Sequence, residues 1–423
     1  MEPNQERSII PRPSQELSVP QTAGNRILSA MVGETLAIAL DAAVPTDLDA
    51  LVVEAKRLYC RLLKGGRPRT GEPTTGNLQP FDLRLESGLL RQEGSSEEDI
   101  QIFGLFYRAA EAGHSEAQFI VSRCYQWGYG VQQDHARKLE WLRKSADSGF
   151  AEAQNAIGRV YKGGMGIPED PEETVKWYRK SAQQGNARGQ CRLGECYDNN
   201  AGIWTGVPRD DNEAMKWYRQ AIEGYRKAAQ QGSAQAQTDL GECYQCGHGV
   251  TEDKVEAVRW FRMAEEQGDA IAQYKLAVCY YLGYGVTEDK VEAAKWYRKS
   301  ADSGYAGAQN ELALCYELGQ GVPKDEFERV KWYRKSAEQG DTQGQVYFAS
   351  CFRDGKGVPQ DHVEAARWFR KAAEQGSSIG QKCLGRCYRL GYGVPRDPAE
   401  SEKWIRMAYD QHPDRPNRPR RPR

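Results

Sequence analysis

Cysteine, histidine and the carboxylates are the side chains of this chain whose spacing could do chemistry. Cys243-x-x-Cys246 has the separation of a redox or metal pair, and His248 follows it. These residues do not complete a four-ligand zinc set. Cys383 and Cys387 stand at i and i+4 and would share one helix face. The other histidines, His114, His135, His362 and His412, occupy unrelated positions, and no Ser/His/Asp grouping of a nucleophilic triad is visible. Pairs such as Asp253 and Glu256 could be acid/base dyads, and Gly-x-Gly-Val segments could cradle phosphate. Both recur too regularly for that, so a structural origin is expected. The sequence supplies no catalytic residue, and neither a metal nor a cofactor is expected.

The elements that would position these residues are repeats. Trp141 and Trp177 are 36 residues apart, and Trp260, Trp296, Trp332, Trp368 and Trp404 keep that interval, with Trp217 between at steps of 40 and 43. Gln118, Gln154, Gln190, Gln237, Gln273, Gln309, Gln345 and Gln381 hold one position of the unit. Cys124, Cys196, Cys243, Cys279, Cys315, Cys351 and Cys387 hold another, with Val160 in the remaining copy, so Cys243 is the repeat cysteine. Eight units run from about Ser115 to His412, after a half-unit Leu105 to Gly113.

Each unit spells two helices. The first, as in Ala234 to Tyr244, stops at a glycine turn, where a positive φ costs glycine little. The second opens on an aspartate, with Glu three residues later in seven of the eight units. That is a capping-box pattern. Pro171 and Pro398 fit the first helical position. The third unit departs: its turn is irregular over Asn199 to Thr205, and its second helix gains seven residues around Ala221 to Lys227. Seven residues are nearly two turns, so the apolar face keeps its register.

Ala-x-Ala-Gln-x-x-Leu-Gly-x-Cys-Tyr, Gly-x-Gly-Val-x-x-Asp and Glu-Ala-x-x-Trp-Tyr-Arg-Lys-Ser-Ala, taken together, resemble the SEL-one-like repeat family, a relative of the tetratricopeptide repeat. The resemblance covers about Ser115 to His412 and implies an all-α, right-handed α/α superhelix that serves as adaptor or scaffold in multiprotein assemblies. Cysteine-rich relatives carry a bridged pair in each unit, a pattern this chain lacks.

The eight repeat tryptophans are expected to form the core, and the once-per-unit cysteine to be a small buried thiol. Partner binding should fall where the repeat dictates nothing, on one stripe of each first helix. In the second unit that stripe is Glu152, Asn155, Arg159 and Lys162. In the fifth it is Ile271, Tyr274, Val278 and Tyr281, joined by Leu314 of the next unit, which together form a candidate protein-binding patch.

Composition bounds the rest. Apolar residues are 39%, and 58 Lys plus Arg balance 59 Asp plus Glu, so no whole-molecule field favours nucleic acid. The most apolar stretch, Ile27 to Val44, carries Glu34 and Asp41 and is too polar to span a membrane. A polar N-terminus over 1–24 lacks the pattern of a signal peptide. The expected location is cytoplasmic, with nuclear, or exported without a cleavable signal, as alternatives. Segment 25–64 reads as a helical hairpin whose residues 46–63, rich in Leu51, Val52, Ala55 and Leu58, could dimerise or fold back as a cap. Residues 65–98 read as a linker, 99–412 as the solenoid and 413–423 as an extended Arg/Pro tail. The tail, with the Arg-Lys ridge after each Trp-Tyr, supports a second reading as a nucleic-acid- or anionic-surface-associated protein. A third reading places an enzyme site in the irregular third repeat.

Overall fold

The computed structural model describes residues 48–63, 97–164, 167, 169–198 and 207–410. Among them there are eighteen helices and no strand. Helix α1 (Leu48–Leu63) packs on α2 (Glu97–Glu111). Eight hairpins follow, each helix packed on the next: α3 (Ser115–Trp127) with α4 (His135–Asp147), α5 (Ala151–Gly163) with α6 (Pro171–Gln183), α7 (Ala187–Tyr197) with α8 (Asp211–Gln230) and α9 (Ala234–Cys246) with α10 (Lys254–Glu266). Then come α11 (Ala270–Leu282) with α12 (Lys290–Asp302), α13 (Ala306–Leu318) with α14 (Glu326–Glu338), α15 (Thr342–Asp354) with α16 (His362–Glu374) and α17 (Ser378–Leu390) with α18 (Pro398–Asp410). This is the α-solenoid of about eight hairpins that the spacing predicts. No described helix is long and apolar enough to cross a membrane.

Hydrogen bonding explains why each aspartate starts a helix. Asp253 Oδ1 accepts from the backbone N–H groups of Val255 and Glu256 at 3.0 and 2.9 Å. The reciprocal half of the capping box is not made. The Asp253 N–H donates instead to the Tyr244 carbonyl of the preceding helix, and the other seven cap aspartates do the same with theirs. The glutamates are thereby released for the tryptophans. Trp177, Trp217, Trp332, Trp368 and Trp404 each donate Nε1–H to the glutamate four residues earlier, at 2.8–3.1 Å.

The tryptophans divide. Trp141, Trp177, Trp332 and Trp368 are buried, whereas Trp217, Trp260, Trp296 and Trp404 are half-buried against the core clusters. The repeat cysteines are buried, as expected. Inside a hairpin the two helices meet at glycine: a Cβ on Gly241 would lie 2.5 Å from the Phe261 ring.

Glutamine joins one hairpin to the next. Gln309 Nε2 donates to the Ala301 carbonyl at the end of α12, at 3.2 Å, and its Oε1 accepts from Gln339 Nε2 at 3.2 Å. The same donation to the preceding hairpin recurs at Gln118, Gln154, Gln190, Gln237, Gln345 and Gln381. The Ala301 carbonyl already accepts from the Gly304 N–H at 3.0 Å, so the repeat glutamine adds a second bond to it and ties two hairpins together. Gln309→Leu should therefore cost about 1–3 kcal/mol. The check is urea unfolding against the wild type, and an unchanged midpoint would show that the ladder carries no stability.

At the N-terminal end, Leu51, Val52 and Ala55 of α1 are buried. Lys56 pairs with Glu116 at 2.5 Å, and the His114 ring meets Asp49 at 2.9 Å. The proposed partner helix over 27–43, the irregular segment Asn199 to Thr205 and the tail 413–423 lie outside the described residues.

Candidate functional site

The repeat consumes most of its own polar chemistry. Arg179, Arg226, Arg262, Arg298 and Arg370 each donate to the phenolic oxygen of the tyrosine eighteen residues on, in the next hairpin. In the seventh hairpin that tyrosine is Phe352, and Arg334 pairs with Glu338 instead, at 2.7 Å. Lys180, Lys299, Lys335 and Lys371, each next to such an arginine, lie over tryptophan rings, as Lys335 does over Trp332 at 4.1 Å and Lys371 over Trp368 at 3.8 Å. The arginines of the basic ridge thus form seams between helices, and these lysines cover tryptophans of their own helix.

What remains is the variable stripe of the first helices. In the fifth hairpin Ile271, Tyr274, Val278 and Tyr281 are half-buried. Tyr274 meets the rings of Tyr297 and Tyr305, with centroids 5.8 and 5.2 Å away. Tyr281 donates to Gln320 Oε1 at 2.5 Å and lies under Lys290 Nζ at 3.6 Å. Leu314 is exposed at 37%. The last residue of each first helix lies on the same side by helical angle, and the sequence reading passed over it. There Leu282 is 45% and Leu318 47% exposed, so the open apolar surface of this stripe is carried by leucines more than by the tyrosines.

In the third hairpin the same stripe reads Arg188, Cys191, Glu195 and Asp198. Its second helix, α8, has 20 residues where the others of the array have 13. That extension moves the point where the next glycine turn docks. Cβ atoms on Gly285, Gly321 and Gly393 would strike the carbonyls of Lys254, Lys290 and His362, each the first residue of the preceding second helix. A Cβ on Gly249 would instead meet Tyr218, in the middle of α8. His248 therefore stacks flat on the Tyr218 ring, with centroids 4.4 Å apart and planes at 4°. There it joins Cys191 and Glu195, with one ligand-capable atom of each within 4.8 Å of the others. Cys243, the repeat cysteine, hydrogen-bonds to Cys191.

The electrostatics set Cys191 apart. The hydrogen bond from Cys243, opposed by burial and helped by one from His248, holds its thiol down at about 7. Burial pushes the repeat thiols Cys279, Cys315 and Cys351 up to about 11. Burial works against a charged His248, but the hydrogen bond to Cys191 and the nearby carboxylates of Glu195 and Asp198 leave its pKa raised. Glu195 is gripped by Arg192 at 2.7 Å and by Lys162 at 3.6 Å. Cys246 is exposed and takes no part in this three-residue cluster, so Cys243-x-x-Cys246 is not the pair its spacing resembles. Spacing could not find the cluster, because Cys191 and Glu195 come from the preceding hairpin.

The family model for the Sel1 repeat matches residues 115–150, 151–186, 187–224, 234–269, 270–305, 306–341, 343–377 and 384–413. A Sel1 repeat protein from Oxalobacter formigenes is 27% identical, covering 83% of this chain and 96% of its own, with a TM-score of 0.43. A protective antigen of uropathogenic Escherichia coli with an SLR fold is 30% identical over 86% of this chain and 79% of its own, with a TM-score of 0.31. An immunity protein from Pseudomonas aeruginosa is 19% identical over 62% and 83%, with a TM-score of 0.35. A comparison with curated proteins finds no match.

Proposed function

Because the chain belongs to the Sel1 repeat family, whose members are in general protein-interaction scaffolds, we propose that it is a non-enzymatic adaptor. On this reading it holds a partner protein along the first-helix stripe of its fifth and sixth hairpins. One observation carries the reading. The repeat glutamines, arginines and tyrosines are engaged between helices and the tryptophans pack in or against the core, whereas Leu282, Leu314 and Leu318 stay exposed on successive first helices. Exposed apolar residues gathered in register are what a protein partner buries. Ile271, Tyr274, Val278 and Tyr281 form the half-buried bed behind them. The patch lies beside Lys275, which pairs with Glu242 at 2.6 Å, so its border is polar, as rims of protein interfaces are.

The test uses the full chain as bait in the native cell extract. Leu314→Asp with Leu318→Asp alters exposed side chains and should leave helix content and unfolding midpoint unchanged while removing the partners that the wild type retains. Undiminished recovery by the folded double variant would remove this patch as the docking surface. Substituting Tyr274 or Val278 is a poorer test, because both pack against the core and their loss would disturb the fold.

A further inference from the structure

We propose that Cys191, Glu195 and His248 bind a divalent transition-metal ion of the zinc class at the seam between the third and fourth hairpins. The donor set is one sulfur, one carboxylate oxygen and one imidazole nitrogen, all within 4.8 Å of one another. Zinc–ligand bonds of about 2.0–2.3 Å set tetrahedral ligands roughly 3–4 Å apart, so the site needs only a small closure. Mixed S, N and O donors favour zinc-class ions over calcium or magnesium, which take oxygen ligands. A thiolate and a carboxylate together neutralise a divalent ion.

The surroundings are those of a supported site. The stacked Tyr218 ring fixes the His248 plane. Cys243 hydrogen-bonds to Cys191, and Arg192 and Lys162 pair with Glu195. Contacts of this kind orient metal ligands. Among the described residues the arrangement is confined to this seam, for a reason visible in the repeat. Of the described turns, this one docks on a mid-helix tyrosine of the longer α8, and it carries histidine where others carry Tyr129, Tyr284 or Tyr392.

The repeat also supplies the variants that test the site. Asn155 and Asn310 occupy the position of Cys191 in other hairpins, so Cys191→Asn and His248→Tyr install residues the fold already accepts. The full chain is stripped with a chelator, kept reduced and titrated with Co²⁺ as a spectroscopic probe, then with Zn²⁺. The expected result is one Co²⁺ per chain with a thiolate-to-cobalt charge-transfer band that Zn²⁺ displaces. Cys191→Asn and His248→Tyr, with native circular dichroism, should each weaken binding by more than the roughly 10–100-fold that loss of an outer contact costs. Cys383→Ser should leave it unchanged. Absence of the band, its survival in folded Cys191→Asn, or its loss in Cys383→Ser would each overturn the assignment. So would reduced wild type that takes up no Co²⁺ yet forms a Cys191–Cys243 disulfide on oxidation, which would mark a redox pair instead.

Discussion

Trp332→Ala is expected to lose about 3–5 kcal/mol of stability and to loosen the sixth and seventh hairpins before the rest of the chain. Trp332 is 1% exposed and sits in the same core cluster as Tyr333, Phe348 and Phe369. Its ring lies under Lys335, and its Nε1–H donates to Glu328 Oε2 at 3.1 Å. Removing it opens a cavity within that cluster. Each hairpin contacts mainly its neighbours, so the damage should stay local. Hydrogen exchange should quicken over α13 to α16 while α3 to α6 keep their protection. Trp296→Ala is the comparison: Trp296 is half-buried and its Nε1 has no hydrogen-bond partner, so the loss should be smaller. Equal losses, or exchange that quickens uniformly along the array, would refute a segmented core.

Gly321→Ala is expected to be more damaging than Gly319→Ala, although both glycines sit at φ +73°. An L-residue in that region costs roughly 1–2 kcal/mol, and this term is common to the two. The difference lies in what the new methyl meets. At Gly319 the nearest atom is the flexible Lys324 side chain at 2.9 Å, which can move aside. At Gly321 a Cβ would stand 1.8 Å from the Lys290 carbonyl oxygen, in the first turn of α12, so the whole turn must lift off the preceding hairpin. Chemical denaturation should show Gly319→Ala near the backbone cost alone. Gly321→Ala should fall well below it, with the last three hairpins melting as a separate step. If both variants unfold at the same midpoint, the second glycine of the turn has no docking role.

The sequence read alone reaches far into this protein. The 36-residue interval, the cap aspartates and the turn glycines specify two helices per unit, because each rests on local physics: side-chain periodicity, unpaired N–H groups at a helix start and the φ that only glycine takes cheaply. The buried repeat cysteines follow from the same periodicity. The reciprocal capping box does not survive, because the Asp253 N–H finds the Tyr244 carbonyl across the turn, a partner that no local pattern contains. The glutamines show their period in sequence but not their role, since Gln309 bonds to Ala301 in the hairpin before it.

The tertiary structure alone decides which stripe residues stay open and which meet. Tyr274 and Leu314 read alike as apolar residues on a variable face, yet packing against Tyr297 and Tyr305 half-buries the first, while the second stays exposed. The gathering of Cys191, Glu195 and His248 depends on seven extra residues in α8 shifting a neighbour's turn by that length. Local rules act over a helical turn and are written in consecutive residues. Contacts between hairpins depend on where one rigid helix ends beneath another, and chain order records that only after the helices have been stacked.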